Sequence, residues 1–122
     1  AEAAHKGFPV LGICNGFQIL CEAQLLPGVL VRNESRRFID KWVELRLENP
    51  TKWTAEPRAL RVRLPIAHGE GRYFVESEEL KRLHDDGQVW WTYENNPNGS
   101  IDNIAGVSNK QKNVCGLMPH PE

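Results

Sequence analysis

Pro9-Val10-Leu11-Gly12-Ile13-Cys14-Asn15-Gly16-Phe17-Gln18-Ile19-Leu20-Cys21-Glu22-Ala23 changes its hydrophobic period in mid-stretch. Residues 9–14 form a short, nearly all-apolar run, which predicts a strand buried on both faces, the kind a parallel sheet uses. From Phe17 onward the period is helical, and Phe17, Leu20 and Cys21 share one face. Cys14 therefore stands where a buried strand turns sharply into a helix.

Working outward, residues 2–6 read as the end of a helix, with Gly7 as its C-cap. From Gly28 to Leu64 the pattern alternates as in half-exposed strands, at residues 29–31, 42–47 and 60–64. Asn49-Pro50-Thr51 and Glu56-Pro57 read as turns between them. Ser77 is the expected N-cap of a second helix, with Glu78 and Glu79 in its first turn, Leu80 and Leu83 on one face, and Gly87 as its stop. Residues 89–93 are strand-like, and residues 95–100 are a turn-rich loop. Residues 104–107 and 114–118 form two apolar strands joined by the polar stretch 109–113. No repeat or low-complexity tract interrupts the chain, so residues 1–122 are expected to form one domain.

The setting of Cys14 suits nucleophilic chemistry. A thiolate needs a lowered pKa, access and a nearby oxyanion site. A helix N-terminus favours the anion, and the amide after the cysteine can donate to a developing oxyanion. Gly12 and Gly16 flank Cys14 at the spacing of a nucleophile elbow, where missing side chains let a tight turn form. A buried structural cysteine fits the local sequence about as well, since cysteine is often a core residue. Cys21, on the inward helix face, and Cys115, within a strand, read as core. No Cys-x-x-Cys or His-x-x-x-His spacing supports a zinc site, so no metal is expected.

Among the histidines, His5 and His84 lie in charged helical surroundings and read as solvated, while His68 lies in Ala67-His68-Gly69-Glu70-Gly71. His120 lies in Met118-Pro119-His120-Pro121-Glu122. The prolines push Met118 and His120 out of the α region, and in an extended segment residues two apart point the same way. His120 and Glu122 can then be neighbours, a carboxylate orienting an imidazole as a Cys–His pair requires. A proline-rich loop after a strand is the competing reading. Both Cys14 and His120 follow short buried strands, and open α/β sheets gather their chemistry at strand C-termini.

Composition bounds the rest. With 122 residues, 40% of them apolar, the chain suits a single core. Fifteen basic against sixteen acidic residues give a net charge of -1, without the basic footprint of a nucleic-acid binder. No apolar stretch approaches the roughly 20 residues of a membrane span, and no signal peptide is visible. Three widely spaced cysteines do not make a disulfide framework. A reduced, cytoplasmic protein is expected. The chain opens without Met and stops at Pro121-Glu122, and it reads as a segment of a longer protein.

Gly12-Ile13-Cys14-Asn15-Gly16-Phe17-Gln18 resembles the Gly-x-Cys-x-Gly-x-Gln motif of the class I, triad-type glutamine amidotransferases, and Pro119-His120-Pro121-Glu122 resembles their His-x-Glu motif. Within that family the chain is most similar to the branch serving phosphoribosylformylglycinamidine synthases of purine biosynthesis. Residues 14–20, 65–73 and 98–107 carry that likeness. The resemblance implies a flavodoxin-like, doubly wound α/β sheet, present here as a fragment without the family's N-terminal strands and C-terminal end. It implies Cys14, His120 and Glu122 as the triad, and the backbone N–H of Asn15 as an oxyanion donor. Gln18 and the stretch His68, Gly69 and Glu70 would bind the substrate glutamine. It further implies no cofactor, and as partners a synthetase subunit and a small accessory subunit. Another triad amidotransferase, a cysteine peptidase on the same elbow and a non-catalytic docking module remain alternatives.

Overall fold

The computed structural model describes residues 6–33, 37, 39–51, 61–68 and 71–120, with the backbone alone for residues 39, 40, 61 and 68. At its centre β1 (Val10–Ile13) lies parallel to β8 (Val114–Leu117), with Val10 opposite Val114 and Ile13 opposite Leu117. Helix α1 (Asn15–Glu22) follows β1 after a single residue and buries Phe17, Leu20 and Cys21 against this pair. The helix can lie close because Gly116 faces it. A Cβ there would stand 2.3 Å from the Phe17 ring.

Antiparallel strands continue the sheet. In chain order they are β3 (Ile39–Leu47), β4 (Arg61–His68), β6 (Val89–Tyr93) and β7 (Ile104–Ser108). Among the described residues the sheet has six strands, in the order β1-β8-β7-β6-β3-β4. Every residue of β7 and β8 is buried, the burial on both faces that their unbroken apolar runs predict. One face packs Phe17, Leu20, Leu83, Val107 and Val114 under the helices. The other packs Val43, Leu45, Ile66, Trp90, Tyr93 and Leu117.

The long β3–β4 hairpin positions the site. Of β3, only Leu45–Leu47 pair with β6, whereas its pairing with β4 runs from Arg46 opposite Arg61 to Ile39 opposite His68. Two-thirds of β3, residues 39–44, therefore extends past the end of β6. The sheet curls, so that this overhang returns to the C-terminal ends of β1 and β8: the His120 N–H donates to the Pro65 carbonyl at 2.9 Å. Pro65 is tolerated because, among the described residues, β4 is an edge strand.

A separate two-stranded sheet joins β2 (Val29–Val31) to β5 (Arg72–Phe74). Tyr73 of β5 stacks on Phe17, with centroids 5.7 Å apart. Helix α2 (Ser77–Asp85) starts one residue before the sequence expectation. Its N-cap is Glu76, because the Leu80 N–H closes the first turn on the Glu76 carbonyl at 2.8 Å, and Ser77 is the first helical residue. Gly87, at φ 65°, ends that helix as expected. The mixed α/β architecture expected from the sequence is the one observed. The expected helix tail at residues 2–6 falls mainly, and the Glu56-Pro57 turn wholly, outside the described residues.

Candidate active site

Cys14 is the single residue between β1 and α1, and both neighbours fix it. Its N–H donates to the Leu117 carbonyl at 2.8 Å, continuing the β1–β8 ladder, while its own carbonyl accepts the Gln18 N–H at 3.2 Å and opens the helix. Satisfying both leaves it at φ 54°, ψ -108°, a conformation that costs a non-glycine residue about 1–3 kcal/mol. The turn needs Gly12 beneath it, since a Cβ there would lie 2.6 Å from the Gly16 carbonyl oxygen. Gly16 differs: a Cβ at that position would meet nothing within 4 Å. The expectation that both flanking glycines are demanded by the turn holds for Gly12 alone.

The half-buried Cys14 thiol points to the Ala67 carbonyl of β4, with Sγ 3.9 Å from the oxygen. Two residues back on the same strand, Pro65 accepts the His120 N–H. Carbonyls two apart on a strand face the same way, roughly 7 Å apart. The overhang of β4 thus binds the segments of Cys14 and His120 side by side along one edge, although β1 and β4 are the outer strands among the described residues. His120 is half-buried, between Pro119, which is buried, and Pro121.

Asn15 is the first residue of α1, with an exposed side chain, and its N–H has no acceptor inside the helix. Gln18, half-buried, stands one turn beyond Cys14 on the same side of α1. His68 ends β4, where its backbone pairs with Ile39; its side chain, Gly69, Glu70 and Glu122 lie outside the described residues. Just beyond them, the buried Gly71 N–H donates to Asn33 Oδ1 at 3.2 Å, so Asn33 anchors the segment that leaves β4. His84 is exposed, as expected, and pairs with Asp102 at 2.9 Å. It lines a polar cleft of about 470 Å³ with Arg46, Glu48, Thr92 and Glu94, to which neither Cys14 nor His120 contributes.

The other two thiols differ in kind from Cys14. Burial, with a smaller contribution from Glu22, pushes the Cys21 thiol up to about 12. Burial pushes Cys115 up to about 11, against a partial offset from Thr51 and Lys112. Both stay protonated and inert at neutral pH, as core cysteines do.

Sequence reading missed the carbonyls of Pro65 and Ala67 and the buried Asn33 and Tyr93. Pro65 breaks the strand pattern at Leu64, which hides the overhang. Asn33, beyond the end of β2, and Tyr93, at the end of β6, carry a legible signal only once distant segments lie against them.

Among the described residues no helix is long and apolar enough to cross a membrane. Residues 3–122 match the family of CobB/CobQ-like glutamine amidotransferase domains. The chain is 56% identical, over 134 aligned positions, to the phosphoribosylformylglycinamidine synthase subunit PurQ of Thermomicrobium roseum, covering 100% of this chain and 56% of that relative. The solved PurLQS structure from Thermotoga maritima matches 98% of this chain and 54% of its own, at 46% identity and a TM-score of 0.85. A glutamine amidotransferase of Thermotoga maritima matches in fold, at 23% identity and a TM-score of 0.63 over 98% of this chain and 43% of its own. The chain thus spans about half the length of these relatives.

Proposed function

Because this chain belongs to the CobB/CobQ-like glutamine amidotransferase family, we propose that it carries the nucleophile and the base of a glutaminase subunit of phosphoribosylformylglycinamidine synthase. The observation that carries this reading is Cys14 held at φ 54° between β1 and α1, with His120 bound to the same edge of β4. Strained backbone at a strand–helix junction suits a nucleophile, and a histidine held on the same strand edge suits its base.

His120 takes the proton of Cys14, and the thiolate attacks the side-chain carbonyl carbon of glutamine. The tetrahedral oxyanion accepts the Asn15 N–H at the start of α1. As it collapses, His120 returns the proton to the leaving nitrogen, ammonia departs and a glutamyl thioester remains. Water, deprotonated by His120, then hydrolyses the thioester to glutamate and frees Cys14. Glu122, two residues on in the sequence, orients the imidazole. Gln18, His68, Gly69 and Glu70 hold the substrate. The glutaminase half needs no cofactor. Its ammonia passes to an ATP-using synthetase subunit, assembled with a small accessory subunit in the cytoplasm.

The test replaces Cys14 in the full-length subunit bound to its synthetase. Cys14→Ala abolishes glutamine-dependent synthesis and leaves ammonia-dependent synthesis largely intact. Equal loss of both would mean that the change harmed folding or docking, and would remove Cys14 from its role.

A further inference from the structure

Tyr93 ends β6, which runs parallel to β1 and β8 because β7 is antiparallel to both β6 and β8. Its ring packs in one cluster with Ile13, Ile66 and Leu117. Each of these adjoins Cys14 in a different way. Ile13 precedes it, Ile66 precedes the Ala67 carbonyl that its thiol faces, and Leu117 accepts its N–H. Tyr93 is buried, at 2% exposure, and its hydroxyl has no hydrogen-bond partner among the described residues. An orphaned buried hydroxyl is destabilising, a penalty that phenylalanine of the same shape does not carry. Burial, and then the charge of a Cys14 thiolate, hold the phenol well above its ordinary pKa, so it stays a neutral O–H donor.

The Ala67 carbonyl serves only the protonated thiol. It can accept from S–H, but it repels a thiolate, which has no proton to give and needs donors. Rotation about χ1 to another staggered well carries a cysteine sulfur away from such a carbonyl. We propose that the Tyr93 hydroxyl is the donor that receives the Cys14 thiolate when the sulfur leaves Ala67. Tyr93 is a positioning residue: it stabilises the charged form of the nucleophile and touches no substrate. Among the described residues, the buried Cys115 thiol shares the Tyr93 cluster and stays protonated. His120 lies on the segment after β8, Glu94 and Arg46 form an ion pair 3.4 Å apart beside Tyr93, and α1 has no acidic residue in its first turn.

The inference rests on reading Cys14 as the nucleophile, and the experiment separates the two. In the full-length subunit with its synthetase, the rate of Cys14 alkylation by iodoacetamide is followed against pH by peptide mass spectrometry. Cys21 and Cys115, held at about 12 and 11, are internal controls that stay unlabelled. Tyr93→Phe raises the alkylation midpoint of Cys14 by ~0.5 pH unit or more, at unchanged or higher Tm. Difluorotyrosine placed at position 93, a stronger donor of nearly the same size, lowers it. A midpoint unmoved by either change overturns the role of Tyr93. Failure of the glutaminase reading is registered separately, as absent glutamine turnover by the unsubstituted complex.

Discussion

Gly12→Ala is the sharpest structural probe of the elbow. The new Cβ would stand 2.6 Å from the Gly16 carbonyl oxygen, 2.6 Å from Leu20 Cδ1 and 2.7 Å from the Gly16 carbonyl carbon. The leucine can turn aside. The Gly16 carbonyl belongs to the first turn of α1 and moves only with the helix. To restore ordinary contact at 3.4 Å, the helix start must retreat by about 0.8 Å. Overpacking of this kind costs roughly 1–3 kcal/mol, or a fall in Tm of at least roughly 2–4 °C. Cys14 is joined directly to the displaced turn, and a misplacement near 1 Å costs on the order of a hundredfold in rate. Gly16→Ala is the matched control. Its Cβ meets nothing within 4 Å, and alanine in a helix is favoured over glycine by roughly 0.5–1 kcal/mol. Both variants, in the full-length subunit bound to its synthetase, are compared by thermal unfolding and by glutamine-dependent against ammonia-dependent turnover. Gly12→Ala loses Tm and glutamine turnover while ammonia turnover holds; Gly16→Ala keeps or gains Tm. Equal Tm and equal turnover for the pair would refute the steric account of the elbow.

Three further outcomes follow from the same geometry. Cys14→Gly unfolds in denaturant at a stability higher than Cys14→Ala by about 1 kcal/mol, since glycine relieves the φ of 54°; an equal or lower value would mean that no strain is held there. His120→Asn costs more glutaminase activity than Glu122→Gln, because losing an orienter leaves the base in place, and the reverse order in steady-state kinetics would reassign the two roles. The raised pKa of Cys115 means that its unfolded thiol ionises first, so its contribution is complete below about pH 9 and is lost as pH rises through about 11. Cys115→Ala therefore flattens the alkaline fall in Tm over that window, and an unchanged slope would contradict the burial argument.

The elbow was legible because its signal is local: the change from a buried apolar run to a helical period falls on one residue, Cys14. Gly12 was read correctly and Gly16 was not, because spacing alone cannot tell which glycine faces a neighbouring carbonyl. The overhang of β4 stayed hidden behind Pro65, whose missing N–H argues against a strand unless the strand is known to lie at an edge. Strand β5 is three residues long, and only its pairing with β2 makes it a strand. Ser77 has a good capping side chain, yet the helix closes on the carbonyl of Glu76, a choice set by backbone geometry. That β1 lies against β8, and that the far edge of the sheet curls back to both, depends on contacts between distant parts of the chain. No local pattern encodes them.

The central claim, that Cys14 attacks glutamine, is tested most directly by trapping the acyl-enzyme. The full-length subunit, bound to its synthetase and turning over labelled glutamine, is quenched in acid and digested, and its peptides are weighed. The account predicts a glutamyl adduct on the peptide containing Cys14, and none in the Cys14→Ala protein. Glutamine turnover with the adduct on another residue, or continuing undiminished in Cys14→Ala, would contradict it.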